Sequence, residues 1–248
     1  MLSSPGENNS DLFGIHRFLY DYLFIYKALL FNRYRNILMG SFDLIHSLKL
    51  LPGIIIGLTI HEFSHAVVAS RCGDNTSKDQ GRVTLNPLKH IDPFGFLMLF
   101  IAGFGWAKPV QFNEMNLRNP RTDVLKIAVA GPLSNAVAAM LLSVIFVLIS
   151  GYSFASGIAV ELFLYAIFIN WGLFVFNLIP LPPLDGSHLL FHYFRKYPAI
   201  YNSVYKYGTM ILFALLIITF VSKRNLLPIW PLIQFMGKGF LGLLGYNF

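Results

Sequence analysis

Four long apolar runs and three weaker ones set the pattern of the chain. Residues 50–70, 125–150, 160–179 and 207–221 each come close to the roughly 20 apolar residues that about 30 Å of hydrocarbon requires, the last being short enough to leave its ends open. The run 226–245 is interrupted by Pro228, Pro231 and several glycines, which suits a helix at the interface or one that enters only part-way. Residues 94–106 are apolar over too short a stretch to cross, and predict a re-entrant piece. The run 12–31 carries Arg17, Asp21 and Lys27. A full span there would bury Asp21 near mid-bilayer at about 3 kcal/mol, so an interfacial helix is predicted instead. The stretches "GRVTLNP" (81–87) and "AKPVQFN" (107–113) alternate like strands and end near proline or asparagine turn signals. The fold class that follows is an all-α polytopic membrane protein with about four to six transmembrane helices and a small membrane-associated β-hairpin or sheet. Its expected parts are an interfacial N-terminal extension over 1–49, a core over 50–190 and C-terminal membrane helices over 191–248.

Composition agrees with this reading. The chain is 55% hydrophobic and 12% charged, and its mean hydropathy of +0.59 is that of a polytopic membrane protein. The formal charge of +7 comes from Lys and Arg grouped in short segments between the apolar runs. Such grouping sets topology and excludes a nucleic-acid-binding stripe. If 94–106 does not cross, the basic residues between Arg71 and Lys126 share one side with Arg195, Lys196 and Lys206, while the uncharged "GYSFASGIA" (151–159) takes the other. The positive-inside rule makes the basic side cytoplasmic. The polar start "MLSSPGENNS" does not read as a cleavable signal peptide. A single cysteine, Cys72, excludes an internal disulfide and multi-cysteine zinc motifs.

Against this background "HEFSH" (61–65) stands out, because it places two histidines and a glutamate within an apolar helix. At about 100° per residue, His61 and His65 fall on one face, one turn apart, where both imidazoles can reach a single metal ion. Glu62 projects beside them, as a general base for a zinc-activated water requires. With seven histidines in the chain, chance would produce H-E-x-x-H roughly 0.003 times. A hydrogen-bonded polar knot between helices is the plain structural alternative. A catalytic zinc site needs three protein ligands and one open position. Cys72 lies about 10.5 Å further along the helix, too far to share the ion, and reads as a small apolar filler. In "FNLIPLPPLDGSH" (176–188), Pro180, Pro182 and Pro183 end the helix and would present Asp185 from extended chain. His188 is the rival third ligand, and a proline turn with Asp185 in water is the plain reading. In "AGPLSN" (130–135), Gly131 and the following alanines suit close helix approach. Asn135 and Asn177 each place an amide in a span, as an oxyanion donor or as glue between helices.

Taken together, "HEFSH", "GRVTLNPLKHIDPFG" (81–95), "FGWAKPV" (104–110), "LRNP" (117–120), "AGPLSN" and "NLIPLPPLDGSH" (177–188) resemble the site-2 proteases, zinc intramembrane metalloproteases, in their compact prokaryotic form. The resemblance runs from about 50 to 190 in the family's order. It implies one Zn2+ ion held by His61, His65 and Asp185, Glu62 as base, and Asn177 helping to hold or polarise the scissile carbonyl. Residues 50–190 would then be a metalloprotease core acting on transmembrane segments of membrane-protein substrates in the lipid bilayer. The expected location is the bacterial inner membrane, with the site open to the cytoplasm. Residues 1–49 find no counterpart in the compact members, and nothing resembles a PDZ or CBS domain. A transporter using His61, His65 and Asp185 as a transit site, or a scaffold that binds transmembrane segments, are the competing functions. The transporter lacks the second broken segment of an inverted repeat and has no use for Glu62.

Overall fold

A computed structural model describes residues 44–101, 105–150, 157–194, 196–222 and 229–246. The expected surface helix over 12–31, and nearly all of 1–49, lie outside the described residues. The four long runs are helices: α1 (Leu44–Arg71), α4 (Pro120–Ser150), α5 (Ile158–Asn177) and α7 (Pro198–Ser222). All four are long and apolar enough to cross a membrane. Between and after them come α2 (Thr76–Asp79), α3 (Pro93–Ile101), α6 (Gly186–Phe194) and α8 (Ile229–Leu243). The nine residues of α3 reach only about 13 Å, in keeping with a segment too short to cross. α7 begins well before residue 207 because Pro198, harmless at a first helical position, starts a polar and aromatic turn that hydropathy alone passes over. In α8, Pro231 sits in the first turn, where its missing N–H costs nothing, and Gly237 packs onto the Phe168 ring. Its fifteen residues measure about 22 Å, less than the hydrocarbon thickness.

Helices α1, α4 and α5 pack against one another, and α8 lies on α5 and α4. Small residues set the spacing. A Cβ built on Gly53 would stand 2.8 Å from the Cα of Ala166, so α1 and α5 touch backbone to backbone. Around this contact Ala136, Ala139, Phe146, Leu164, Ile167, Trp171 and Val175 form the core with Ile233 and Leu241 of α8. The outer face of α4 is the reverse: Leu133, Val137, Leu141 and Leu148 are at least half exposed. A stripe of that kind is an aggregation hazard in water and an ordinary surface in lipid.

The hairpin expected from 81–87 and 107–113 does not form: among the described residues the only pairing is one antiparallel bridge between Ile91 and Ala107. Side chains take the place of the ladder. His90 Nε2 hydrogen-bonds Thr84 O at 2.7 Å, and the Arg82 guanidinium donates to Lys89 O and Lys108 O. Pro87 and Pro109 lack the N–H groups a ladder would need. α1 itself stops at Gly73, whose φ of +113° turns the chain back so that Asp74 N–H reaches Ala69 O.

Candidate metal centre

His61 and His65 sit on adjacent turns of α1 with their Nε2 atoms 3.0 Å apart. Asp185 Oδ2 lies 3.1 Å from the first and 3.3 Å from the second. His61, His65 and Asp185 are thus brought together from segments more than 100 residues apart in sequence. The opposite ring nitrogens fix the tautomer. His65 Nδ1 is 2.7 Å from Ile127 O, a backbone carbonyl that can only accept, so Nδ1 carries the hydrogen. His61 Nδ1 is 2.7 Å from Asn135 Oδ1. Asn135 donates through Nδ2 to Gly57 O at 2.9 Å and to Asn170 Oδ1 at 3.0 Å, which settles that its oxygen faces the ring. Asn170 in turn donates to Ala166 O at 2.8 Å. In its neutral form each imidazole therefore aims a bare Nε2 lone pair at the other ring and at a carboxylate oxygen.

Three electron-rich atoms that close together repel unless a cation lies among them. A tetrahedral zinc with ligand bonds of about 2.0–2.1 Å has its ligand atoms about 3.3–3.4 Å apart, close to the spacing seen here. Asp185 Oδ2 is buried and finds no well-aligned donor, as an oxygen meant for a cation would be. Gly131 keeps the space clear, since a Cβ there would press on His65 Nε2 and stand 2.7 Å from His61 Nε2. The residues fit zinc, and their outer contacts to Asn135 and Ile127 O are the orienting shell such a site needs.

Asp185 is delivered by backbone. The chain leaves α5 at Asn177, passes Pro180, Pro182 and Pro183 in tight turns rather than the expected extended chain, with Leu184 N–H on Leu181 O at 3.0 Å, and re-enters helix at Gly186. Gly186 lies directly on the preceding turn: a Cβ there would come within 2.5 Å of the Leu178 carbonyl carbon and 2.6 Å of Ile179 O. From the other side, α7 leans on Pro182 through Gly208, which has no room for a side chain either.

Glu62 is buried beside the histidines, near enough for its charge to bear on His65. Its Oε2 accepts the Val110 N–H at 2.8 Å, and no described residue donates to its other oxygen. Asn177 donates to Leu173 O at 3.0 Å within its own helix and joins none of these contacts. Asn135 belongs to His61: both of its N–H groups are engaged, so it has none left for an oxyanion. His188 stays outside the ligand set and lines a cleft of about 470 Å³ with Glu114, Arg121, Tyr201 and Tyr205. Burial lowers its pKa below the ordinary histidine value, against the pull of the Asp185 charge. Cys72 is a filler among Ala69, Leu117 and Ile127. Two participants escape a reading of motifs. Asn170 had the same signal as Asn135, an amide inside an apolar run, whereas the Val110 N–H is backbone and leaves none.

Residues 49–161 and 151–219 match the sequence pattern of the family described as Peptidase family M50. The chain is 37% identical over 202 residues to the Bacillus subtilis (strain 168) protein named "Putative zinc metalloprotease YwhC", covering 77% of this chain and 90% of that one. It is 34% identical over 144 residues to "Putative zinc metalloprotease Rip2" of Mycolicibacterium smegmatis, covering 55% of this chain and 53% of that protein. No solved structure matches it. The matched region takes in both the HEFSH helix and the turn that presents Asp185, and on that ground the chain belongs to peptidase family M50, the site-2 protease family.

Proposed function

We propose that the protein is a zinc-dependent intramembrane endopeptidase that hydrolyses peptide bonds in or near the transmembrane segments of membrane proteins. The observation that carries this reading is the triangle of His61 Nε2, His65 Nε2 and Asp185 Oδ2, with edges of 3.0–3.3 Å and both ring tautomers fixed, set between apolar helices. Placing such groups at membrane depth is costly, and the cost makes sense where the substrate is itself in the membrane. Zinc held by the three supplies Lewis acidity for a peptide carbonyl and lowers the pKa of a water to about 7. Glu62 takes a proton from the attacking water through its free oxygen while Val110 N–H holds the other. As the water oxygen bonds to the carbonyl carbon and the C–N bond breaks, Glu62 returns the proton to the leaving amine. Asn177, at the end of α5 and eight residues before Asp185, is assigned to the scissile carbonyl through the second N–H of its amide, the first being held by Leu173 O. The grouping of basic residues supports a site opening to the cytoplasm from a bacterial inner membrane.

Glu62→Gln tests the reading. The variant should retain zinc and lose cleavage of a membrane-embedded substrate by about 10²–10⁴-fold, the range for general acid–base groups. Zinc retained together with unimpaired cleavage would falsify the assignment of the base.

A further inference from the structure

We infer that Arg82 is a positioning residue for Glu62: it ties down residues 107–113 so that the Val110 N–H meets the glutamate carboxylate. The inference rests on the proposed role of Glu62 as base. Arg82 is only 4% exposed, and no carboxylate among the described residues lies within ion-pair distance of it, although the Glu62 charge is near enough to act on it. A guanidinium is seldom buried without a partner, and here the partners are two carbonyls, Lys89 O and Lys108 O, one from each side of the Ile91–Ala107 bridge. The planar fork of arginine suits two acceptors on different segments. It reinforces the single backbone hydrogen bond present there, Lys108 N–H to His90 O at 2.8 Å.

Two further ties secure the same strap. Ser77 Oγ donates to Gln111 O at 2.6 Å, and Asp74 Oδ2 accepts the Asn113 N–H at 2.9 Å. Asp74 and Ser77 are fully buried, and Asp74 is itself braced by Thr76 and by Asn116 Nδ2 at 2.9 Å. Residues 108, 111 and 113 are thus held by side chains from 74–82, the bend that follows directly on the helix bearing Glu62. Within the tied stretch Pro109 has no N–H, and the N–H of Val110 goes to Glu62. The bracket and the base start from one helix, so the bracket returns the strap to a fixed point relative to the base.

The test uses the full-length, zinc-loaded protein in detergent micelles. Hydrogen exchange is followed in the peptide covering 107–113, zinc per chain is measured, and cleavage kinetics are taken on a quenched fluorogenic peptide bearing one alanine- and leucine-rich membrane-spanning helix with a central glycine pair. Arg82→Gln should speed exchange in 107–113 at least about tenfold and lower kcat at least about tenfold, with KM within about twofold and zinc unchanged. Arg82→Lys should not rescue kcat, because an ammonium lacks the fork that spans both carbonyls. Ser77→Ala, which removes one tie, should move both readouts the same way by less, and it decides the matter if Arg82→Gln does not fold. A wild-type kcat in a strap that exchanges faster overturns the inference, as does a lost kcat with exchange unchanged. A wild-type protein inert towards the probe counts against the peptidase reading instead, and unchanged exchange in Arg82→Gln still overturns the positioning role.

Discussion

His61 and His65 lie in a continuous helix, each with its outer ring nitrogen tied to α4, whereas Asp185 stands on a proline-rich turn and, among the described residues, has only the two imidazoles within ion-pair distance of its carboxylate. One half of the centre is held by hydrogen bonds and the other by steric fit. The histidines need an orienting partner because a ring on a helix can rotate and change tautomer. The carboxylate is placed by backbone that cannot go elsewhere, with Gly186 pressed on Leu178 and Ile179, and Pro182 pressed by Gly208. The two halves should therefore fail differently.

The largest effect comes from removing the sterically placed ligand. Asp185→Ala leaves two imidazoles, one short of a catalytic zinc set, and metal affinity should fall by more than the ~10–100-fold typical of outer contacts. Metal analysis of the purified variant should find little zinc and no cleavage. Zinc kept at the wild-type level would transfer the third ligand to another side chain, with His188 in the adjacent cleft the nearest candidate.

A methyl group on the turn comes next. Gly186→Ala puts a Cβ where the Leu178 and Ile179 carbonyls stand, and overpacking of this sort costs about 1–3 kcal/mol. The turn can relieve the clash only by shifting, and Asp185 shifts with it. Weakened zinc binding with both histidine contacts to α4 intact, read from imidazole nitrogen chemical shifts, is the expected outcome. Undiminished affinity would show that the carboxylate is held by something other than the fit of this turn.

The same contrast explains what could be read in the sequence. HEFSH was legible because a helix converts spacing into geometry, so His61 and His65 needed no knowledge of the fold. Asp185 was legible only as a candidate beside His188, since prolines announce that the chain leaves the helix without saying where it goes. The spanning runs emerged from composition, but the strap did not. Alternation in 81–87 and 107–113 suggested a sheet, and what forms is a bracket of Arg82, Ser77 and Asp74 holding backbone carbonyls and an N–H. Side chain to backbone bonds of that kind join residues about 30 apart with no periodicity to betray them. In the sequence Gly131 suits a spacer between helices. It is a spacer, but the neighbours it spares are the imidazoles.

The smallest effects belong to the hydrogen-bonded half, where two amides stand in series. Asn135→Ala removes the acceptor at His61 Nδ1 and frees the ring to swap tautomers, which should weaken zinc binding about 10–100-fold in a chelator competition. Asn170→Ala acts one bond further out. It takes away one of the two acceptors that fix the Asn135 amide and leaves Gly57 O in place at 2.9 Å. One acceptor suffices to keep the amide nitrogen turned away from His61, because the flipped amide would set N–H against N–H. The loss of affinity should then stay below about tenfold, under the range for a direct contact. An Asn170→Ala variant as weak as Asn135→Ala would mean that the amide orientation is set from α5 and not from α1. The hydrogen-bonded half would then depend on the packing of three spans at once, and the contrast with the sterically placed aspartate would narrow to a difference in which helices do the holding.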